Sequence, residues 1–126
     1  MARVLAVDDE PGLRMVYRLM LTKMGHSVRC ARNVEEAKSR IQSEMPEVLI
    51  LDYLMPDGNG NVLLDWLSAQ RLSLPVVMIS GQVGTHHLGL APDNRIIAYM
   101  GKPFRHNVLA SVIDQALNAP PAQPLG

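Results

Sequence analysis

Short runs of unbroken apolar residues most restrict what this chain can fold into. Val4, Leu5, Ala6 and Val7 form one; Val48, Leu49, Ile50 and Leu51 a second; Val76, Val77, Met78 and Ile79 a third; residues 96–99 a fourth. Each is too short to be a core helix. Each is also too continuous for a sheet with one wet face, so these runs read as strands covered on both sides. Helical periods fill the intervals. After Pro11, apolar residues recur at Leu13, Val16, Tyr17, Met20, Leu21 and Met24, opposite Arg14, Arg18 and Lys23, and Gly25 suits the C-terminal cap. A further strand is expected over about residues 27–30. Asn33, with Glu36 three positions on, marks a helix start; Val34, Ala37 and Ile41 line one face, and Pro46 ends the element. A third helix is expected from 62 to about 70 with Leu63, Trp66 and Leu67 inward, and a last one over about 105–117.

Strands separated by helices pair in parallel, because each crossover returns the chain to the same edge. The fold class is therefore α/β, an open parallel sheet of five strands with helices on both faces. Ligands of such sheets sit beyond the carboxyl ends of the strands.

The totals are those of one domain. A chain of 126 residues can bury roughly two thirds of its unfolded surface. Twelve basic and twelve acidic side chains cancel, so the chain carries no field suited to direct nucleic-acid or membrane binding. A single cysteine, Cys30, leaves no disulfide within the chain and fits a reducing compartment. The opening residues lack the pattern of a secretory leader, and no apolar run is long enough to span a bilayer, so the expected address is the cytoplasm. There is no internal repeat. Residues 119–126, with Pro120, Pro121 and Pro124, read as a Pro-rich tail or linker behind a domain of residues 1–118.

Several polar residues directly follow the strands. Asp8, Asp9 and Glu10 follow the first, Asp52 the third and Ser80 the fourth, with Lys102 just beyond the fifth. All should point to one rim. Carboxylates crowded there repel one another, and a hard divalent cation removes the repulsion. Magnesium takes oxygen ligands and keeps several waters, so two carboxylates, a backbone carbonyl and waters suit it. The Lys102 ammonium and the Ser80 hydroxyl complete a pocket for an oxyanion such as a transferred phosphoryl group. Asp52 is the best-placed nucleophile, because it stands alone at the end of a central strand. Asp9 is the better direct metal ligand, and Asp8 the one behind it.

At this point the chain resembles the receiver domains of two-component response regulators. The likeness rests on the acidic pair in VDDE, the LDYLMPDGNG block with Asp52, Pro56 and Gly60, the VVMISG strand ending in Ser80, and YMGKPF with Tyr99, Lys102 and Pro103. It implies the flavodoxin-like strand order 2-1-3-4-5. It also implies that Asp52 takes a phosphoryl group from a sensor histidine kinase or phosphotransfer protein, with Mg2+ held by Asp9, Asp52 and the backbone carbonyl of Leu54. Lys102 would then meet the phosphoryl oxygens, Ser80 would move toward them, and Tyr99 would turn inward. The Lys102–Pro103 bond is usually cis in this family. The resemblance further implies a signalling phosphoacceptor rather than an enzyme on external substrates, and an output module fused at either end is compatible with it.

Plainer roles exist for each residue. Asp52 could merely start a loop, Asp8 and Asp9 could cap the helix after Pro11, Ser80 could make a turn, Lys102 could be a surface lysine, and Tyr99 could be core. The eight methionines read as core filler and Cys30 as buried and inert. His86 and His87 read as exposed loop residues, and His26 and His106 as solvent-facing ends. Two features depart from the family pattern. The GQVGTHHLGLAPDNR stretch holds Gly81, Gly84, Gly89 and Pro92 where a regular fourth helix is usual, so that helix is expected to be irregular or shortened. Leu54 and Gln82 flank the expected path of hydrolytic water, and a leucine cannot orient water, which predicts slow phosphoryl loss.

Three other classes compete. Haloacid dehalogenase-type enzymes place a second Asp two residues after the nucleophile, where this chain has Leu54. A flavin or nucleotide binder would show a Gly-rich phosphate loop of Walker or Rossmann type, and this sequence has none. A phosphorylation-independent, receiver-like interaction module is the third.

Overall fold

A computed structural model describes residues 2–81 and 95–118. In chain order the elements are β1 (Arg3–Val7), α1 (Pro11–Lys23), β2 (Ser27–Ala31), α2 (Val34–Ser43), β3 (Val48–Asp52), β4 (Leu54–Met55), β5 (Gly58–Asn59), α3 (Gly60–Ala69), β6 (Val76–Ser80), β7 (Ile96–Gly101) and α4 (His106–Asn118). Five strands form one parallel sheet in the order β2-β1-β3-β6-β7. With the short β4-β5 hairpin set aside, this is the 2-1-3-4-5 order expected from the sequence.

Alternation along the buried strands divides the core in two. Leu5, Val7, Leu49, Leu51, Val76 and Met78 face α2 and α3, meeting Val34, Ala37, Ile41, Leu63, Leu64 and Leu67. Val4, Ala6, Val48, Ile50, Val77 and Ile79 face α1 and α4, meeting Tyr17, Leu21, Leu109, Ile113 and Ala116. Every residue of β3 and β6 is buried, which is why those runs carry no polar alternation until their final residues, Asp52 and Ser80.

Local signals account for the helix ends. Pro11 opens α1, where its missing N–H costs nothing. Gly25 follows that helix at φ +92°, donating to the Thr22 carbonyl at 2.9 Å while His26 donates to Leu21 at 3.0 Å, a Schellman closure. Asn33 caps α2 by accepting the Glu36 N–H at 2.8 Å, and Glu36 reaches back to accept the Arg32 N–H at 3.0 Å.

Several details refine the expectations. α3 begins two residues earlier than expected, because Asn59 caps it by accepting the Asn61 N–H at 2.9 Å. Leu63, Leu64 and Leu67 point inward, and Trp66 is partly buried and packs against the same cluster. The loop after Asp52 is partly structured, with Leu54 paired to Asn59 and Met55 to Gly58. Methionine is not uniformly core either, since Met15 is exposed on α1. The expectations for Gln82, His86, His87 and the irregular fourth helix, and the Pro-rich tail 119–126, lie outside the described residues.

Candidate functional site

Strand register builds the site. Val7 pairs with Leu51, so Asp8 leaves β1 beside Asp52 at the end of β3. Asp52 pairs with Ile79, which puts Ser80 one residue beyond it. Ser80 pairs with Gly101, and the Lys102 N–H donates to the Ser80 carbonyl at 2.8 Å, so Lys102 emerges at the same rim. The Lys102–Pro103 peptide is cis.

The side chains converge accordingly. The Lys102 ammonium donates to Asp52 Oδ2 at 2.9 Å, lies 3.1 Å from Asp8 Oδ2, and is 3.9 Å from Glu10. One oxygen from each of Asp8, Asp9 and Asp52 falls within 4.8 Å of the others, a set that could hold a metal ion. Asp8 is fully buried and its oxygens are occupied. Oδ1 accepts the Glu10 N–H at 2.9 Å, and Oδ2 accepts the Tyr17 hydroxyl at 3.3 Å as well as Lys102. Asp9 is exposed and makes no hydrogen bond or ion pair among the described residues. Asp9 therefore has free oxygens at the rim, whereas the oxygens of Asp8 already have donors. Neither caps α1 with its side chain: Glu10 is the N-cap residue.

Burial and like charge strain the cluster. Asp52 is 4% exposed. Its carboxyl is pushed up to about 6, first by desolvation and then by the charges of Asp8 and Asp9, against the pull of Lys102. Burial alone would lower the Lys102 ammonium, but its hydrogen bonds to Asp52 and Asp8 outweigh that and hold it above its ordinary value. The Tyr17 phenol is raised by burial and then by Asp8, so it stays a donor. These are the conditions under which an oxygen-seeking dication fits: hard donors, excess negative charge, and a buried carboxylate poorly served by one ammonium.

The remaining sequence candidates are placed as follows. Ser80 is buried at the end of β6. Leu54, in the hairpin after Asp52, is 49% exposed, and Tyr99 on β7 is 40% exposed rather than core. Cys30 is buried, and burial raises its thiol, consistent with an inert role. His106 is exposed, whereas His26 is half-buried and accepts the Ala2 N–H at 3.3 Å.

Sequence reasoning missed three contributors. Tyr17 was read as plain core, yet it reaches Asp8 and stacks on Phe104 at 5.8 Å between ring centroids. A tyrosine on an apolar face needs a partner for its hydroxyl, and that signal was available. The Arg14 guanidinium donates to the Asp8 carbonyl at 2.9 Å. Asp57, which reads as a turn residue between Pro56 and Gly58, accepts the Val34 N–H at 2.9 Å and the Glu35 N–H at 3.1 Å. The slight desolvation of Asp57 is outweighed by these N–H groups, and its carboxyl sits below the ordinary range.

Comparisons with known proteins bear on the fold and the family. The transcriptional regulator NtrC of Azospirillum brasilense is 31% identical over 123 residues, covering 96% of this chain and 26% of that protein. The chain spans about a quarter of the length of the NtrC relatives it matches. The receiver domain of NtrX from Brucella abortus superimposes with a TM-score of 0.82 at 32% identity, covering 93% of this chain and 99% of that domain. TrrA from Thermotoga maritima, solved in complex with Mg(2+)-BeF, gives a TM-score of 0.81 at 25% identity, covering 93% of this chain and 100% of that one. The family model for the response regulator receiver domain matches residues 4–114. Nearly the whole chain is spanned by that match, and the chain belongs to the response regulator receiver domain family.

Proposed function

We propose that this receiver domain is a phosphoacceptor, with Asp52 the residue phosphorylated. An oxygen of the Asp52 carboxylate attacks the phosphorus of a phosphohistidine on a sensor histidine kinase or phosphotransfer protein. The P–N bond breaks, its electron pair returns to the imidazole, and the new O–P bond makes an acyl phosphate. Asp9, Asp52 and the backbone carbonyl of Leu54 would hold Mg2+, with Asp8 behind them. The ion supplies positive charge against the phosphoryl oxygens. Lys102 releases Asp52 and takes one of those oxygens, and the Ser80 hydroxyl takes another. Tyr99, now exposed, is the residue expected to turn inward when Ser80 moves, shifting the population between two packings of that face. The chemistry is confined to the domain's own phosphorylation and a slow loss of the group past Leu54.

One observation carries this reading: a single ammonium sits 2.9 Å from Asp52 and 3.1 Å from Asp8, at the rim where Asp9 joins them. Among the described residues no helix is long and apolar enough to cross a membrane, and we place the domain's work in the cytoplasm on the strength of its chemistry. Residues 1–118 serve as the signalling unit in this reading. Residues 119–126 serve as a tail or as a linker to an output module.

The test is incubation with acetyl phosphate and Mg2+, read by intact mass. The parent should gain one phosphoryl group, and EDTA or Asp52→Ala should abolish the gain. Labelling that survives in Asp52→Ala would refute the assignment. No labelling of the parent would favour a phosphorylation-independent interaction module.

A further inference from the structure

Beyond the residues that touch the phosphoryl group, the segment following the acceptor is held at a point the function does not explain. Its base is tied twice. The Tyr53 N–H donates to the Ile79 carbonyl at 2.7 Å, and the Gly60 N–H donates to the Tyr53 carbonyl at 2.7 Å. Gly60 itself is fixed by packing, since a Cβ there would lie 2.9 Å from Met78 Cε. Between these anchors run β4, the turn and β5, paired only through Leu54 with Asn59 and Met55 with Gly58. A hairpin this short has little stability of its own. Its tip is tethered by Asp57, whose two carboxylate oxygens accept the first two amides of α2, those of Val34 and Glu35. Asn33 caps the same helix at the Glu36 amide, so two different loops share the N-terminus of α2. Charge-assisted bonds of this kind, at the positive end of a helix dipole, are the stronger kind of hydrogen bond.

We propose that Asp57 is a positioning residue: by clamping the hairpin tip to α2 it holds the Leu54 backbone carbonyl where a cation shared with Asp9 and Asp52 needs it. The inference rests on the metal reading above. It differs from a purely structural role, because loosening the tip should free the Leu54 carbonyl while leaving the Asp8, Asp9 and Lys102 geometry, built on β1 and β7, in place.

Three proteins test it: the parent, Asp57→Ala and Asp57→Asn, the last keeping one acceptor oxygen. Mg2+ affinity is measured by calorimetry. Amide hydrogen exchange at 34–35 and 53–59 is measured in EDTA, and folding stability is checked by urea titration. Residues that orient metal ligands typically cost 10–100-fold in affinity when removed, and an exposed clamp one step further out is expected to cost roughly fivefold or more. Asp57→Ala should weaken Mg2+ binding by that amount and speed exchange at both sites, with Asp57→Asn between it and the parent. A parent that binds Mg2+ while Asp57→Ala binds equally well overturns the positioning role alone, even if the variant is less stable. Unchanged exchange in EDTA overturns the clamp independently of metal. A parent that takes no Mg2+ overturns the metal reading and the positioning role with it.

Discussion

Asp52 should make the metal-free protein less stable, and by an amount that depends on pH. Its carboxyl titrates at about 6 in the folded chain against an ordinary 3.8, because burial and the charges of Asp8 and Asp9 outweigh the help of Lys102. A folded pKa above the unfolded one means that stability is fully present below the unfolded value and is lost as pH rises through the folded value. The window therefore runs from about pH 4 to about pH 6. Each tenfold change in proton affinity is worth ~1.4 kcal/mol, so the ionised Asp52 costs the fold about 3 kcal/mol by pH 7. Asp52→Asn keeps the shape and an acceptor oxygen for Lys102, and Lys102 keeps Asp8 at 3.1 Å. In EDTA the variant should equal the parent near pH 4 and exceed it by about 3 kcal/mol at pH 7 to 8, roughly 10 °C in Tm for a domain of this size. Mg2+ should narrow the gap by stabilising the parent, which binds it, more than the variant. Urea titrations at half-unit pH steps decide the matter. A variant no more stable than the parent at pH 8, or a gap that does not change across the window, refutes the account of a carboxylate held under electrostatic strain.

Further outcomes can be stated briefly. Lys102→Ala leaves Asp8 and Asp52 buried without their shared ammonium, so it should cost about 3 kcal/mol in EDTA at pH 8 by urea titration. The same change should abolish labelling by acetyl phosphate. Tyr17→Phe keeps the stack on Phe104 and loses the bond to Asp8, for about 1 kcal/mol by thermal melting, because Asp8 retains Lys102 and the Glu10 amide. Leu54→Asn, by supplying a polar group beside Asp52, should speed phosphate release from the labelled domain in a phosphate assay, and no acceleration would discount Leu54 as the brake. Ile50→Ala, in the fully buried β3, should cost about 2–5 kcal/mol in urea without moving Mg2+ affinity after correction for the unfolded fraction.

How much could be read beforehand follows from which forces were local. The strands were legible because burial on both sheet faces demands unbroken runs such as Val48 to Leu51, and no other common element does. The site was legible because a parallel sheet sends every strand end to one rim, so Asp8, Asp52, Ser80 and Lys102 could be gathered without knowing a single distance. The start of α3 was missed for the opposite reason. It is set by Asn59, a cap hidden in a Gly-rich stretch. Asp57 was opaque because its partners, Val34 and Glu35, lie far away in sequence and present only backbone amides. No side-chain pattern marks a backbone donor.

The charge count at the rim shows why that gathering is useful. Asp8, Asp9 and Asp52 bring three negative charges, and Lys102 brings one positive charge within hydrogen-bonding reach of two of them. Those four groups alone leave minus two, the charge that one Mg2+ would balance, and Glu10 at 3.9 Å from Lys102 adds to the excess. In the proposed reaction Lys102 leaves Asp52 for an incoming phosphoryl oxygen, and its other partner, Asp8, has donors of its own. Asp8 keeps the Glu10 amide on one oxygen and the Tyr17 hydroxyl on the other, so a fully buried carboxylate is never left without donors. Asp52 accepts from Lys102, yet burial and the charges of Asp8 and Asp9 still hold its carboxyl up, and a proton, a cation or phosphorus relieves that strain. The same burial that makes Asp52 costly to the resting fold thus makes it the carboxylate with most to gain from capture of a phosphoryl group.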